Sequence, residues 1–321
     1  MPSTLPLTEH VRSVKTIGIV AKADLKNVSP VVHEVSKWLA ERGVSTVTEL
    51  ETARLASLKD QRTCSKNDLP RTVDLLLVLG GDGTLLGVAN QIVSVDADVP
   101  VLAVNCGSLG FLTEITLPEL YDALESVLAG TAGIDERQML HASVQRLRHK
   151  EVNGLTVTEF EKLKTSRTIA ERFVLNDVVI GKSARSNIIE ISISVGDQFV
   201  TSYRADGLIV SSPTGSTAYN LAVGGPIVHP TVDAFLLTPI APHTLTNRPI
   251  VIASTTPVRV TPALGGEHLE AFASFDGQFN VELEHNDVIT VERAPQSLKV
   301  VRAESRNYFA VLREKLKWGE R

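Results

Sequence analysis

The chain has 321 residues, 43% of them hydrophobic and 21% charged, and a formal net charge of -5. That balance belongs to a globular protein of two ordinary domains or one large one, and without a Lys/Arg run it disfavours nucleic acid or an anionic membrane as the main partner. Cys64 and Cys106 form no CxxC or His/Cys cluster, the first fifteen residues lack an apolar h-region, and no apolar stretch approaches the length of a membrane span; together these argue against structural zinc, export and insertion, and for the cytoplasm.

Residues 15–20 (KTIGIV) read as a buried first strand, and residues 31–42 have helical spacing and stop at Gly43. Strands follow at 44–47, 73–79 (VDLLLVL) and 98–104, with helices at 85–92 and 118–128. The run 73–79 is mostly apolar, as a central parallel strand covered on both faces should be. Alternating strand and helix predict an open α/β sheet over residues 1–135.

The pattern then changes. Short β-rich segments at 173–180, 188–195, 199–203, 208–210, 250–253, 258–260 and 288–291 predict an antiparallel, sandwich-like domain over residues 136–301. Residues 159–172 are charged and poorly periodic, which suggests a solvated excursion. An amphipathic helix at 308–318 lies in a final segment, 302–321, expected to pack back on the first domain.

Four stretches carry the chemistry. Gly80-Gly81-Asp82-Gly83-Thr84 directly follows the 73–79 strand. A glycine-rich strand-to-helix turn lets backbone N–H groups approach phosphate, with the helix N-terminus adding positive potential; as a plain turn it would use Thr84 as the helix cap. Asp82 favours a site, because a carboxylate in a phosphate cradle repels the ligand unless it serves a metal or a proton transfer. The second stretch, residues 105–114 (NCGSLGFLTE), also follows a strand. The third, Asn176-Asp177, puts two polar residues in an apolar run, where adjacent side chains point to opposite faces. In the fourth, Arg204-Ala205-Asp206-Gly207 precedes SSPTGSTAY at 211–219 and Gly224-Gly225-Pro226. This loop is rich in hydroxyls, and Tyr219 offers a flat face for a base. Residues 275–278 (FDGQ) read as a hairpin turn, which turn chemistry alone explains. A Rossmann dehydrogenase is a weak rival: Gly81-x-Gly83-x-x-x-Gly87 follows two earlier strands, and the acidic residue about 20 positions later is missing.

Taken together, and in this order, the GGDGT, NCGSLGFLTE, LND and ADGLIVSSPTGSTAYNLAVGGPI blocks resemble the NAD kinase family from first strand to last helix. The resemblance implies an α/β domain and a β-rich domain with NAD held between them, usually in a homo-oligomer, dimer or tetramer. It implies that Asp82 orients or deprotonates the adenosine-ribose 2'-hydroxyl, with Gly83 beside the ligand and Gly80, Gly81, Gly83 and Thr84 forming the phosphate loop. Asn176 and Asp177 match the family's Asn-acid pair, and Asp206 the acid near the nicotinamide, with Arg204 two residues before it. Thr214 and the run Thr217, Ala218, Tyr219, Asn220, Leu221 and Ala222 match the adenine-side loop, and Gln278 a late NAD contact. Either Arg185 or Asn187 stands where the family often has a basic phosphate contact. The donor is ATP, another nucleoside triphosphate or polyphosphate, with Mg2+ held mainly by the nucleotide; without GxxxxGK[ST], any ATP site is not a P-loop. Two other readings stand beside this one: a lipid or sugar kinase of the wider GGDG group, and a non-catalytic NAD-binding sensor.

Overall fold

The computed structural model describes residues 13–22, 28–58, 62–107, 110–147, 166–184, 186–244, 246–264, 269–302 and 307–319. By internal contacts the chain divides into two compact units, Met1–Glu136 with Leu298–Arg321, and Arg137–Ser297.

The first unit runs through β1 (Thr16–Ala21), α1 (Val28–Glu41), β2 (Ser45–Glu49), α2 (Leu50–Leu55), β3 (Thr63–Cys64), β4 (Leu75–Gly80), α3 (Asp82–Ser94), β5 (Val101–Asn105), β6 (Ile115–Thr116) and α4 (Leu120–Leu128). Its strands pair in parallel in the order β3-β2-β1-β4-β5. Every residue of β4 is buried, as its apolar run requires. Helix α1 stops where Gly43 takes φ +73, with Gly43 N–H donating to Ala40 O and Val44 N–H to Leu39 O. That bond pair is a Schellman cap, which needs a left-handed residue and so favours glycine. The chain leaves β1 toward β2 on one side and returns to β4 on the other, so the strand order reverses at β1/β4. Open α/β sheets bind ligands at the carboxyl ends of strands beside such a point, and Gly80, Gly81 and Asp82 stand at that end of β4.

The second unit contains β7 (Ile134–Leu147), β8 (Ser166–Val174), β9 (Asp177–Lys182), β10 (Ile189–Val195), β11 (Gln198–Ala205), β12 (Gly207–Ser211), a 3-10 turn (Thr214–Thr217), α5 (Tyr219–Ala222), β13 (Ala234–Ile240), β14 (Ile250–Ala253), β15 (Val258–Ala263), β16 (Ala271–Phe275), β17 (Phe279–Leu283) and most of β18 (Val288–Val301). One antiparallel sheet is ordered β14-β13-β12-β9-β16-β17. Strands β11, β10, β15 and β18 form a second, with β7 and β8 alongside. Apolar side chains of both sheets, among them Ile180, Leu208, Phe235, Ile191, Val260 and Ile289, make one buried cluster, the interior of a sandwich. The chain then returns to the first unit, where Val300 pairs with Val101 and α6 (Tyr308–Leu316) buries Val311 and Leu312.

The expected α/β and β-rich halves are present, with several local corrections. Residues 173–180 are not one strand: β8 ends at Val174 and β9 begins at Asp177, with Leu175 and Asn176 in a bend. Residues 166–172, expected as a solvated excursion, belong to β8, whose first three residues are exposed and which buries Ala170 and Val174; the remainder of that stretch lies outside the described residues. Gly81, not Thr84, caps α3, so the helix begins at Asp82. Leu77 is fully buried in the first unit's core. Leu77→Ala is expected to cost about 2–5 kcal/mol, read as a lower urea midpoint for unfolding.

Candidate active site

The first candidate centre is built where β4 meets α3. A Cβ at Gly80 would strike the Thr84 side chain, whereas Gly81 and Gly83 have open space at that position. The helix N-terminus is therefore open on the side of Gly81 and Gly83, as close approach of a phosphate requires. The Asp82 carboxylate is turned onto the loop after Gly110. Phe111 N–H donates to its Oδ2 at 3.0 Å, while Leu112 N–H, Thr113 N–H and the Thr113 hydroxyl donate to Oδ1 at 3.3, 3.0 and 2.9 Å. Oδ1 is crowded with donors and Oδ2 keeps acceptor capacity for one more. The approach depends on Gly110, where a Cβ would fall on the Asp82 carboxylate and the Thr113 hydroxyl. Asn105 Nδ2 donates to Thr113 Oγ1 at 2.8 Å, and Gly107 N–H donates to Asn105 Oδ1 at 2.7 Å.

The second centre is a cavity of about 580 Å³ whose lining includes Asn176, Asp177, Lys182, Asp206, Tyr219 and Asp276, with Phe272 and Ile240 as apolar wall. At its base lies the β16–β17 hairpin, where Asp276 and Gly277 have φ of 51 and 66, the type I′ turn that Asp-Gly favours. Asp276 does more than turn the chain. Its carboxylate accepts the N–H groups of Leu175, Asn176 and Asp177 at 2.8, 2.7 and 3.1 Å. The carbonyls of the same bend hold the hydroxyl-rich loop: Ser212 N–H and the Ser211 hydroxyl donate to Asn176 O at 2.9 and 3.1 Å, and the Ser212 hydroxyl donates to Leu175 O. A Cβ at Gly215 would sit on the Asn176 backbone. The loop and the bend are thus locked together, while Asn176 Oδ1 and Thr214 Oγ1 are buried without a hydrogen-bond partner among the described residues. Buried polar atoms in folded proteins are nearly always satisfied, so these two are poised for groups a ligand would bring.

Burial pushes the Asp177 carboxyl up to about 7, with the Asp276 charge adding to the rise. Burial also lifts Asp276, to about 6, against the three backbone N–H bonds that pull it down. Because those bonds favour the ionised form, Asp276 carries the charge of the pair and Asp177 holds the proton longer.

Of the residues expected from sequence, Asn176, Asp177, Asp206, Ala218 and Tyr219 come together on the cavity wall. Asn220 is fully buried: its Nδ2 donates to Ser216 O and Pro226 O, and its Oδ1 accepts from Thr238. Thr217, Leu221, Ala222, Asn187, Arg204 and Gln278 are not among the described lining residues, and the last four of the described side chains in that group, Ala222, Asn187, Arg204 and Gln278, are exposed. Arg185 lies outside the described residues. Sequence reading missed Lys182, which donates to Ser186 O at 3.2 Å and stands 3.8 Å from Asp206 Oδ1, and it missed the second role of Asp276. A lysine ending an apolar strand gave the one visible signal; Asp276 was hidden by its fitness as a turn residue.

The chain matches the ATP-NAD kinase N-terminal domain over residues 17–132 and the ATP-NAD kinase C-terminal domain over residues 175–303. It is 43% identical over 308 residues to an NAD kinase of Geotalea daltonii and 44% identical over 308 residues to one of Geobacter sulfurreducens, covering 96% of this chain and 100% of each relative. In structure it resembles yeast NADH kinase complexed with NADH, with a TM-score of 0.82, 22% identity and coverage of 98% and 93%. It also resembles an NAD kinase from Archaeoglobus fulgidus in complex with ATP, with a TM-score of 0.69, 20% identity and coverage of 94% and 98%.

A carboxyl raised on folding holds its proton more tightly in the folded chain, so its contribution to stability is present at low pH and is lost as pH rises through the folded value. For Asp177 that window runs from about pH 4 to about pH 7. Asp177→Asn is expected to flatten the fall in thermal stability across this window, measured by unfolding in a pH series.

Proposed function

We infer the function from one premise: the chain belongs to the NAD kinase family. It is accordingly an enzyme that phosphorylates NAD to NADP. We assign Asp82 to the acceptor hydroxyl, the adenosine-ribose 2'-OH, and the cavity lined by Asn176, Asp177, Asp206 and Tyr219 to the dinucleotide. The observation that carries the assignment of Asp82 is its free acceptor capacity at Oδ2, on a carboxylate otherwise fixed by four donors.

A ribose hydroxyl is a poor nucleophile, so phosphoryl transfer depends on positioning and on charge neutralisation. Asp82 supplies an acceptor that orients the hydroxyl and takes up its proton. The glycines at the start of α3 leave room for a phosphate to approach the helix N-terminus, where the backbone dipole favours negative charge. Tyr219, 45% exposed at the start of α5, offers its ring to a base, and the unpartnered Asn176 Oδ1 accepts from a ligand amine or hydroxyl.

The donor in this proposal is ATP, with polyphosphate as the alternative. Among the described residues no group of three or more His, Cys, Asp or Glu could hold a metal ion, so the residues present do not form an all-protein cage. Mg2+ in this proposal is held by the nucleotide and water and supplies neutralisation of the donor phosphates. The chain would work in the cytoplasm as a homo-oligomer.

A coupled assay for NADP formation from NAD, ATP and magnesium tests the assignment. The intact protein is expected to turn over, and Asp82→Asn to lower kcat on the order of 10²-fold or more. Binding of NAD without any product from ATP or polyphosphate would favour a sensor instead.

A further inference from the structure

The acceptor atom that the proposed chemistry needs is left available by a specific arrangement of its neighbours. Asp82 is the first residue of α3, and its carboxylate turns on a soft terminal torsion that allows a broad range of orientations. Three of its contacts are backbone N–H groups of residues 111–113, which follow from the course of the loop itself. The fourth is a choice of side chain: the Thr113 hydroxyl, donating to Oδ1 at 2.9 Å.

Thr113 and Asn105 are both buried, at 0% and 4% exposure. The Thr113 hydroxyl has one proton, given to Asp82, and it accepts from Asn105 Nδ2 at 2.8 Å. A hydroxyl used in both directions cannot rotate without losing a bond at one end, and in a buried setting such a loss is costly. Asn105 is in turn held through its Oδ1 by Gly107 N–H at 2.7 Å. The chain Gly107, Asn105, Thr113, Asp82 therefore passes the geometry of the β5 terminus to the carboxylate, and it loads Oδ1 rather than Oδ2.

We propose that Thr113 is a positioning residue for phosphoryl transfer: its hydroxyl, held by Asn105, fixes the Asp82 carboxylate with Oδ2 turned to the acceptor hydroxyl. The inference rests on the assignment of Asp82 made above. Thr113 touches no substrate and acts through Asp82 alone. It belongs to transfer rather than to dinucleotide binding, so its loss should appear in kcat.

Steady-state kinetics on Thr113→Val, Thr113→Ser, Asp82→Asn and the Thr113→Val/Asp82→Asn double variant test this, with thermal unfolding run beside each. Valine keeps the shape and removes the hydroxyl. Thr113→Val is expected to lose on the order of 10-fold or more in kcat, since small misplacements of a reacting group can cost about 10²-fold, with KM for NAD within about threefold of the parent. Thr113→Ser is expected to recover most of that loss. On Asp82→Asn, valine is expected to add nothing, as for residues that act as one unit. If the valine variant does not accumulate folded, Thr113→Ala is read in the same way. A Thr113→Val kcat within about threefold of the parent, or losses that multiply in the double variant, would overturn this inference alone. A parent that makes no NADP, or Asp82→Asn as active as the parent, would overturn the assignment of Asp82 and this inference with it.

Discussion

A carboxylate that gathers three consecutive backbone N–H groups organises each unit of this protein. In the first, Asp82 takes those of Phe111, Leu112 and Thr113; in the second, Asp276 takes those of Leu175, Asn176 and Asp177. Taking a carboxylate out of water is costly, and charge-assisted bonds from otherwise unpaired amides offset the cost while fixing an irregular segment that no sheet or helix would hold. The two are nevertheless not equivalent. Asp276 lines a cavity with its charge absorbed by the bend it stabilises, while burial, with the Asp276 charge adding to it, lifts the neighbouring Asp177 carboxyl to about 7. Asp82 is only partly buried and retains an open acceptor site. Asp276 builds a pocket, and Asp82 is available for chemistry.

The consequence in the second unit is a hierarchy of supports. The hairpin turn holds the bend at 175–177, the bend holds Ser211 and Ser212, and those hold the loop carrying Thr214. Each step uses a backbone group that would otherwise be an unpaired polar atom in the interior. With these demands met, Asn176 Oδ1 and Thr214 Oγ1 remain unpartnered among the described residues. Their availability is the product of a network that has satisfied its other members, which is how a binding site is preorganised on rigid elements.

Much of this was legible in the sequence because the relevant residues break a local rule. Gly80-Gly81-Asp82 interrupts the junction of an apolar strand and a helix, and Asn176-Asp177 interrupts an apolar run. The strand count was harder, since β8 is charged and largely exposed at its start, and the boundary between β8 and β9 is set by long-range bonds to Asp276 that no local pattern reveals. Asn220 falls in the middle of a loop matched to the adenine side, and the sequence gives no sign that three protein partners hold it or that Gly225 must lack a Cβ to make room. The roles of Thr113 and Asp276 emerge only from the fold, because a threonine and an Asp-Gly turn are unremarkable until their partners are known.

The division of labour between a binding cavity and a chemical carboxylate can be tested by calorimetric titration of NAD into Asp82→Asn and Asn176→Ala. Asp82→Asn is expected to keep its NAD affinity within about threefold while Asn176→Ala loses about tenfold or more, because loss of transition-state stabilisation and loss of ground-state binding are separable. The reverse pattern, with binding lost at Asp82 and retained at Asn176, would contradict it.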